Sequence, residues 1–577
     1  MQMHECDVLV VGSGGAGLRA AVEAAEAGAR VIVSTKGVPG ACGTTYTAAS
    51  DWMAFGAAFG HADPADSPKE HWIDIMVKGG LLCTPDLART IAEEAPARFQ
   101  ELDDWGGNFD RDDSGGFRQI LSDGARYPRA CGRGADTGPI IVTVLMDRCR
   151  EINERGPGSV QFLPNTMMVD VVTDGGRVQG AWGVSMTDDQ PFGVTAPAVV
   201  LAAGGAGELY AINVFPGGAT GDGYAMALRA GAPLVNFEFI QIGPSIVHPI
   251  NFALSGVFWR LKPQITNVLH EEFIPRYIPE GVDMDKAIFI KGVSYPFTIR
   301  NASKWVDVAV FTEISEGRGT QHRGVYMSLV HQPDSVIEED ACVPFEHLLK
   351  SGLDLRREAI EFAPAIQHFN GGARIDEQAR TAIEGLCAAG ENAGGQHGAD
   401  RPGGNALADA QVFGRRAGAS AASFTHAADA DAVTDAARSG VNELVSGSGS
   451  EDAQAIRDEL AWKMWQGASV VRTEESLTMA LQAAEGAQGR LADARGSLRE
   501  RAELRNLALL GRCVAIPARM RDESRGTHYR ADVDAVNDGN WQRQIELRLD
   551  GGEVVAEVQE PIVLPDEIAG LEARLEG

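Results

Sequence analysis

The stretch that most constrains this chain is its opening, Cys6 to Ala21, which reads CDVLVVGSGGAGLRAA. Val8 to Val11 is a short aliphatic run of the kind a strand buried on both faces requires, and Gly12, Gly14 and Gly17 follow it with the spacing G-x-G-x-x-G. The spacing predicts a strand that turns sharply into a helix. Gly12 permits the tight turn, Gly14 lets backbone N–H groups approach a pyrophosphate, and Gly17 lets the helix sit close on the sheet, with phosphate charge at the helix N-terminus. The helix, Leu18 to Ala27, ends at Gly28, and a second strand from Arg30 to Ser34 completes a βαβ unit of roughly 30 residues. The position after that strand, which usually carries an acid for a ribose, reads Ser34-Thr35-Lys36; a hydroxyl can bond a ribose, while Lys36 suits a phosphate. A lone glycine motif is as readily a steric device, but the complete unit around it makes the reading dinucleotide binding.

With 577 residues the chain is long enough for about two to four domains and a large core. Lys plus Arg is 51 against 80 for Asp plus Glu, a net charge of -29 that repels phosphate polymers and anionic membranes, so nucleic acid is not an expected partner. A small anionic substrate stays compatible with that charge, because a few inward-pointing arginines set the local field. The eight cysteines form no C-x-x-C pair, which argues against a zinc or iron-sulfur site and against a disulfide framework. MQMHECD leads straight into the first strand and no apolar run reaches the 18 or so residues of a membrane span, so the expected protein is cytoplasmic, without membrane insertion.

Along the chain, the loop Gly37 to Ser50 (GVPGACGTTYTAAS) is too small-sided to build core and is expected to pass close to the ligand. Pro85 and Asp86 mark a helix start within the helical stretch Ser67 to Trp105. Strands are expected at Ser159 to Leu163, Met168 to Thr173 and Val178 to Ser185, the last two joined through Asp174-Gly175-Gly176, a hairpin signal. Ala198 to Ala203 runs into Gly204-Gly205-Ala206-Gly207, and Gly385 to Ala389 runs into Gly390-Glu391-Asn392-Ala393-Gly394-Gly395. These are two further strands with glycine-rich mouths, and ligands of open α/β sheets lie at such carboxyl ends. The block from about Asn236 to Asp354, richer in aromatics and prolines, reads as an inserted cap. Ala427 to Ala453, ending SGSGSEDA, is the best linker candidate, and the segment beyond it to Arg519 reads as a helical bundle.

The three mouths, in this order and at these distances, resemble the flavoprotein subunit of succinate dehydrogenase and fumarate reductase, with L-aspartate oxidase and adenylylsulfate reductase as relatives. The likeness runs nearly the whole chain. It is carried by Ala202 to Gly207, by Thr220-Gly221-Asp222-Gly223 before MALRAGAPL, by TEISEGRGT (Thr312 to Thr320), by HFNGG (His368 to Gly372), by AAGENAGGQHGADRPGGNALADAQVFG (Ala388 to Gly414) and by ESRGTHYRADVDAVNDGNW (Glu523 to Trp541). The resemblance implies an α/β fold: a Rossmann-like FAD-binding domain at 1–235 and 355–440, an inserted α+β capping domain at 236–354 and a C-terminal helical domain at 441–577. It also implies FAD and hydride transfer between flavin N5 and a carbon-carbon double bond flanked by carboxylate. Gly12, Gly14, Gly17, Ser34 and Lys36 are then expected on the ADP half, and Gly15, Ala16 and Thr35 beside them on the cofactor. Gly43, Thr44, Ala203, Gly204, Asp222, Glu391, Asn405, Ala406 and Leu407 complete the cofactor set, with Asp222, Glu391, Asn405 and Leu407 around the ribityl and isoalloxazine parts. Arg401 and His368 are expected on a substrate carboxylate, the first through its planar two-pronged fork. His397, beside them, reads as structural.

Three departures qualify the resemblance. The histidine that carries covalent FAD in S-H-T is absent from Cys42-Gly43-Thr44, so the flavin is expected to be non-covalent. The family's F-H-P-T appears as Ile242-Gly243-Pro244-Ser245, which removes a ligand histidine. The expectation is a widened pocket lined by Phe252, Phe258 and Trp259, with His248 a substitute ligand. The proton-donor arginine falls at Phe258-Trp259-Arg260-Leu261-Lys262-Pro263, with Arg260 first and Lys262 second. The function implied is an FAD oxidoreductase interconverting saturated and α,β-unsaturated carboxylates. Its rivals are a flavin oxidase or dehydrogenase of an amino-dicarboxylate or related acid, and a subunit working with a separate iron-sulfur or other electron-transfer protein; a homo-oligomer is compatible with either.

Overall fold

Five short strands form one parallel sheet in the order Leu386–Ala388, Ala198–Leu201, Val8–Val11, Val31–Thr35, Val160–Pro164. The structure is a computed structural model that describes residues 1–47, 50, 52–445, 449–569 and 571. Every residue of the four strands other than Val160–Pro164 is buried, which is why their sequences are continuous aliphatic runs without alternation. The three strands with glycine-rich mouths are adjacent in the sheet, so the mouths open side by side at one edge.

The helix Gly15–Glu26 packs against Asn405–Ala421 along a seam of small residues. A Cβ on Gly414 would come within 2.8 Å of the Ala16 carbonyl oxygen, so this crossing needs glycine. A four-stranded sheet, Gln2–Glu5, Pro191–Thr195, Arg177–Ser185 and Thr166–Asp174, carries the expected hairpin. Gly175 (φ 55) and Gly176 (φ 78) both take the left-handed conformation that a two-residue hairpin turn demands.

The linker expected from Ala427 to Ala453 is mostly a helix, Ala430–Val445. Its alanines are good helix formers, and Val433, Ala437, Gly440 and Leu444 recur at helical spacing to bury against that sheet beside Trp182. Residues 446–448 of the SGSG run, and residues 48 and 49 of the loop after the second strand, lie outside the described residues.

The inserted block builds a five-stranded antiparallel sheet, Phe252–Ala253, Ile240–His248, Ile360–Phe369, Val325–Ser328 and Gln264–Thr266. Its central strand, Ile360–Phe369, comes after Asp354. The C-terminal region packs three helices, Ala453–Ala468, Glu474–Gly489 and Leu498–Met520, on one another, the last two opened by capping boxes at Thr473 and Ser497. Beyond them comes a hairpin that the sequence reading did not name. Arg543–Asp550 and Glu553–Pro561 join Leu234–Val235, Gly372–Arg374 and Ala393–Gly394 in one sheet, which stitches the C-terminus to the first part of the chain. Among the described residues no helix is long and apolar enough to cross a membrane.

Candidate active site

The three glycine mouths and the cap enclose a cavity of about 960 Å³. Gly12, Gly14, Gly15, Ala16, Ser34, Thr35, Lys36, Gly43, Thr44, Ala203, Gly204, Asp222, Glu391, Ala406 and Leu407 line it, as do Arg260, His368 and Arg401. Gly17 and Asn405 stand behind its wall. A Cβ on Gly17 would overlap the Gly12 carbonyl oxygen, so this glycine lets the helix close on the turn. Asn405 is buried, with Oδ1 2.9 Å from Nε2 of His71. Burial, helped by Arg129, lowers the pKa of His71 to about 3, so its ring is neutral.

At the dinucleotide end, the N-terminus of Gly15–Glu26 carries no acidic residue in its first turn and no capping side chain. The N-terminus of Asn405–Ala421 is likewise free of both. Thr45 of the glycine-rich loop crosses the first helix, its Oγ1 accepting from Gly15 N at 3.2 Å. Gly204 (φ +77) has open space where a side chain would stand. Two helix N-termini free of acidic residues, one of them with only Gly15 N taken up by Thr45, and bare backbone at three strand mouths suit a long ligand with a pyrophosphate, so the residues present fit a flavin dinucleotide.

Lys36 and Asp222, assigned to different halves of such a ligand, touch each other at 2.8 Å, and Lys36 also meets Glu503 at 2.8 Å. Burial alone would lower the Lys36 pKa, but the two carboxylates hold it above its ordinary value, so it is a fixed cation. The Ser34 hydroxyl is 2.8 Å from that of Thr166.

At the other end the central side chain is Gln241, which the sequence reading did not single out. Its Oε1 accepts from Arg401 Nη2 at 2.7 Å, and its Nε2 donates to the Arg401 carbonyl at 2.7 Å and to Asp400 at 3.0 Å. Asp400 is in turn held by Lys78 at 2.9 Å. This buried chain fixes the Arg401 guanidinium. Among the described residues Arg401 Nε and His368 Nε2 are buried without a hydrogen-bond partner. Burial, then the neighbouring Arg401, pushes His368 well below the usual histidine range, so its imidazole is neutral. Its Nδ1 faces Glu391 at 3.5 Å, and Glu391 Oε1 accepts from Phe369 N at 2.9 Å.

Burial raises the Glu391 pKa to about 8, with the Phe369 bond and Arg401 working against it. A raised acid stabilises the fold fully below its unfolded value of 4.5, and that stabilisation is lost as pH rises through about 8. The flavin-free protein should therefore lose thermal stability across this window. Glu391→Gln should remove that part of the pH dependence, which melting curves from pH 4.5 to 8 would test; an unchanged slope would contradict it.

Several expectations for the cap are corrected. Phe252, Phe258 and Trp259 do not line the cavity. They are buried in the cap core, with Trp259 edge-on to Phe362 at 5.6 Å and Phe252 stacked on His347 at 4.5 Å. The wall is made instead by smaller neighbours, among them Leu254 and Val257. His248 is stacked on His322 at 3.7 Å, off the cavity wall. Lys262 is exposed and contributes its backbone carbonyl to His331, whereas Arg260 lines the cavity, with Nη2 3.2 Å from the Gly292 carbonyl. Nor is the site widened at Gly243. A Cβ there would stand 2.7 Å from Tyr295 Cε1 and 2.8 Å from Gln367 Oε1, so the space is already filled.

A flavin-sized cavity with bare phosphate-binding backbone at one end and a partly buried, fixed arginine at the other defines an FAD-dependent oxidoreductase. Residues 7–407 match the FAD binding domain family and residues 457–560 match the fumarate reductase flavoprotein C-terminal family. The chain is 36% identical to a polypeptide of the CoM/CoB fumarate reductase of Methanothermobacter marburgensis, over 95% of this chain and 97% of that one. It is 30% identical to the L-aspartate oxidase of Streptomyces coelicolor, over 95% and 92%. The solved structure of Mycobacterium smegmatis Sdh1 in complex with UQ1 superposes with a TM-score of 0.87 at 30% identity, covering 100% of this chain and 98% of that one. The chain belongs to the family of fumarate reductase and succinate dehydrogenase flavoproteins.

Proposed function

We propose that the protein holds FAD non-covalently and reduces the double bond of an α,β-unsaturated carboxylate. What supports this most is the pairing of Arg401 and His368. Both line the flavin cavity, His368 buried and Arg401 partly so, and each has a buried nitrogen without a partner among the described residues, where a carboxylate would supply the missing acceptor. Bound FAD supplies the hydride that the reduction needs. The protein's part is to hold and polarise the acid. Arg401, kept in place by Gln241 and Asp400, takes the carboxylate through its fork, and neutral His368 donates Nε2–H to the same group. Withdrawing electrons through the carboxylate makes the β-carbon the better hydride acceptor.

The α-carbon then needs a proton. Arg260, the cation on the cap side of the wall, delivers it as the carbanion forms and is recharged from solvent, because the side chain reaches both cavity and surface. Gly43 stands in the place of a covalent attachment residue, and Cys42 beside it has its sulfur 3.4 Å from Ser13 Oγ. The flavin should therefore leave on denaturation.

Steady-state reduction of fumarate and related enoates, with chemically reduced viologen as donor, tests the reading. Arg260→Gln is expected to lower kcat by about 10²- to 10⁴-fold with little change in KM. Unchanged kcat would remove Arg260 from proton transfer.

A second reading keeps the same carboxylate grip for an amino acid oxidised in air, favoured by the likeness to an L-aspartate oxidase. Peroxide formed with L-aspartate would select it. For the reductase the described residues hold no cysteine cluster, so electrons would come from a separate protein or a diffusible carrier, whereas in the oxidase they would pass from the amino acid to oxygen.

A further inference from the structure

Gln367 and His368 are consecutive in the strand Ile360–Phe369, yet both line the cavity. In a regular strand neighbours point to opposite faces. Here the pairing with Ile240–His248 slips: Gln241 is opposite His368, but Ile242 is opposite Ile366, which leaves Gln367 as the extra residue of a β-bulge. Such a bulge re-aims a side chain, and this one turns Gln367 onto the cavity beside the carboxylate-binding histidine. Among the described residues no hydrogen bond is made to the Gln367 side-chain amide. Tyr295, also on the wall, is fixed by donating its hydroxyl to the Pro244 carbonyl at 2.6 Å. Both side chains press on Gly243, so they are neighbours of each other, and any side chain at 243 would displace them.

The charges of the cavity limit what this wall can face. Its cations are Lys36, which is tied to Asp222 and Glu503, Arg499, Arg260 and Arg401. Arg401 serves the first carboxylate and Arg260 the proton. Against Gly243 itself the wall is Tyr295 and Gln367, both uncharged, while Arg260, tied to the Gly292 carbonyl, is the cation reserved for the proton. A second carboxylate brought there would lose its hydration without gaining a cation, whereas an amide, ester or hydroxyl would find the Gln367 amide as donor or acceptor.

We propose that Tyr295 and Gln367 form the specificity wall of the site, and that the substrate is an enoate with one carboxylate and a neutral hydrogen-bonding group at its other end. This rests on the carboxylate-reducing function proposed above.

The test compares fumarate with its monoamide as oxidants of the viologen-reduced, flavin-loaded protein. The wild type is expected to show a kcat/KM at least tenfold higher for the monoamide. Gln367→Lys, which places a cation on the wall, should reverse that preference chiefly through KM. Gln367→Ala, checked for flavin content, should erode it. Equal or better use of fumarate by the wild type, or a Gln367 variant that changes both substrates alike, would overturn the assignment. Binding to the oxidised protein separates this idea from the reaction itself. The monoamide of succinate should perturb the flavin spectrum at a concentration at least tenfold lower than succinate, whether or not any enoate is turned over. If the two bind alike the wall is wrongly assigned; if binding is selective and neither enoate is reduced, the fault lies in the proposed reaction.

Discussion

Arg401→Ala is expected to lower turnover of the carboxylate substrate by about 10²- to 10³-fold while the purified protein stays yellow, as removing one member of a buried charged pair costs about 3–5 kcal/mol. The residue sits at the end of a buried chain, Lys78 to Asp400 to Gln241 to Arg401, that orders the guanidinium before any ligand arrives. That order is itself a prediction of geometry over charge. Arg401→Lys keeps the charge but loses the fork and the bond to Gln241, so it should recover little of the activity. Flavin content measured by absorbance after gel filtration separates the two ways of failing. Loss of flavin in Arg401→Ala would place this side chain on the cofactor or in the fold and not on the substrate.

Gly12→Ala is expected to have the opposite signature, loss of flavin and of soluble protein together. Gly12 sits at φ +108 with its backbone against the Ala202 carbonyl, so a methyl group there meets main chain that cannot yield. The cost is about 3 kcal/mol or more, and it falls on the contact between two of the three strand mouths. Gly28→Ala is the control. Gly28 is also left-handed, at φ +92, but nothing stands within 4 Å of the added carbon. It should show a small drop in melting temperature from backbone strain alone and bind flavin normally. If both variants behave alike, the close approach at the first mouth is not what the glycine is for.

The parts of this molecule legible in its sequence are those fixed by local backbone requirements. Short apolar runs that lead into glycine read as buried strands with tight exits, and the three of them, beginning at Val8, Ala198 and Leu386, are adjacent strands. Gly175 and Gly176 gave the hairpin for the same reason. What was not legible depended on which of two similar environments a side chain reaches. Phe258 and Trp259 are large and apolar, as a pocket or a core requires, and only the packing shows that they fill the core. The alanine-rich stretch after Ala427 has linker-like simplicity and helix-forming residues at once; contact with Trp182 decides for the helix. Gln367 was hidden most thoroughly, because a bulge leaves no mark in composition and strand alternation would turn the residue away from His368. Gln241 carried no motif of its own, and its importance comes from the acid and the arginine on either side of it.

Whether this cavity joins a reduced flavin to an α,β-unsaturated carboxylate held by Arg401 and His368 is decided by an experiment without oxygen. The flavin-loaded protein is reduced chemically, fumarate or its monoamide is added, and the flavin absorbance is followed. The oxidised spectrum is expected to return rapidly with at least one of the two, with the matching saturated acid formed in equal amount, and slowly in Arg401→Ala. Flavin that stays reduced with both, in a protein that is fully loaded and folded, would contradict that role of the cavity.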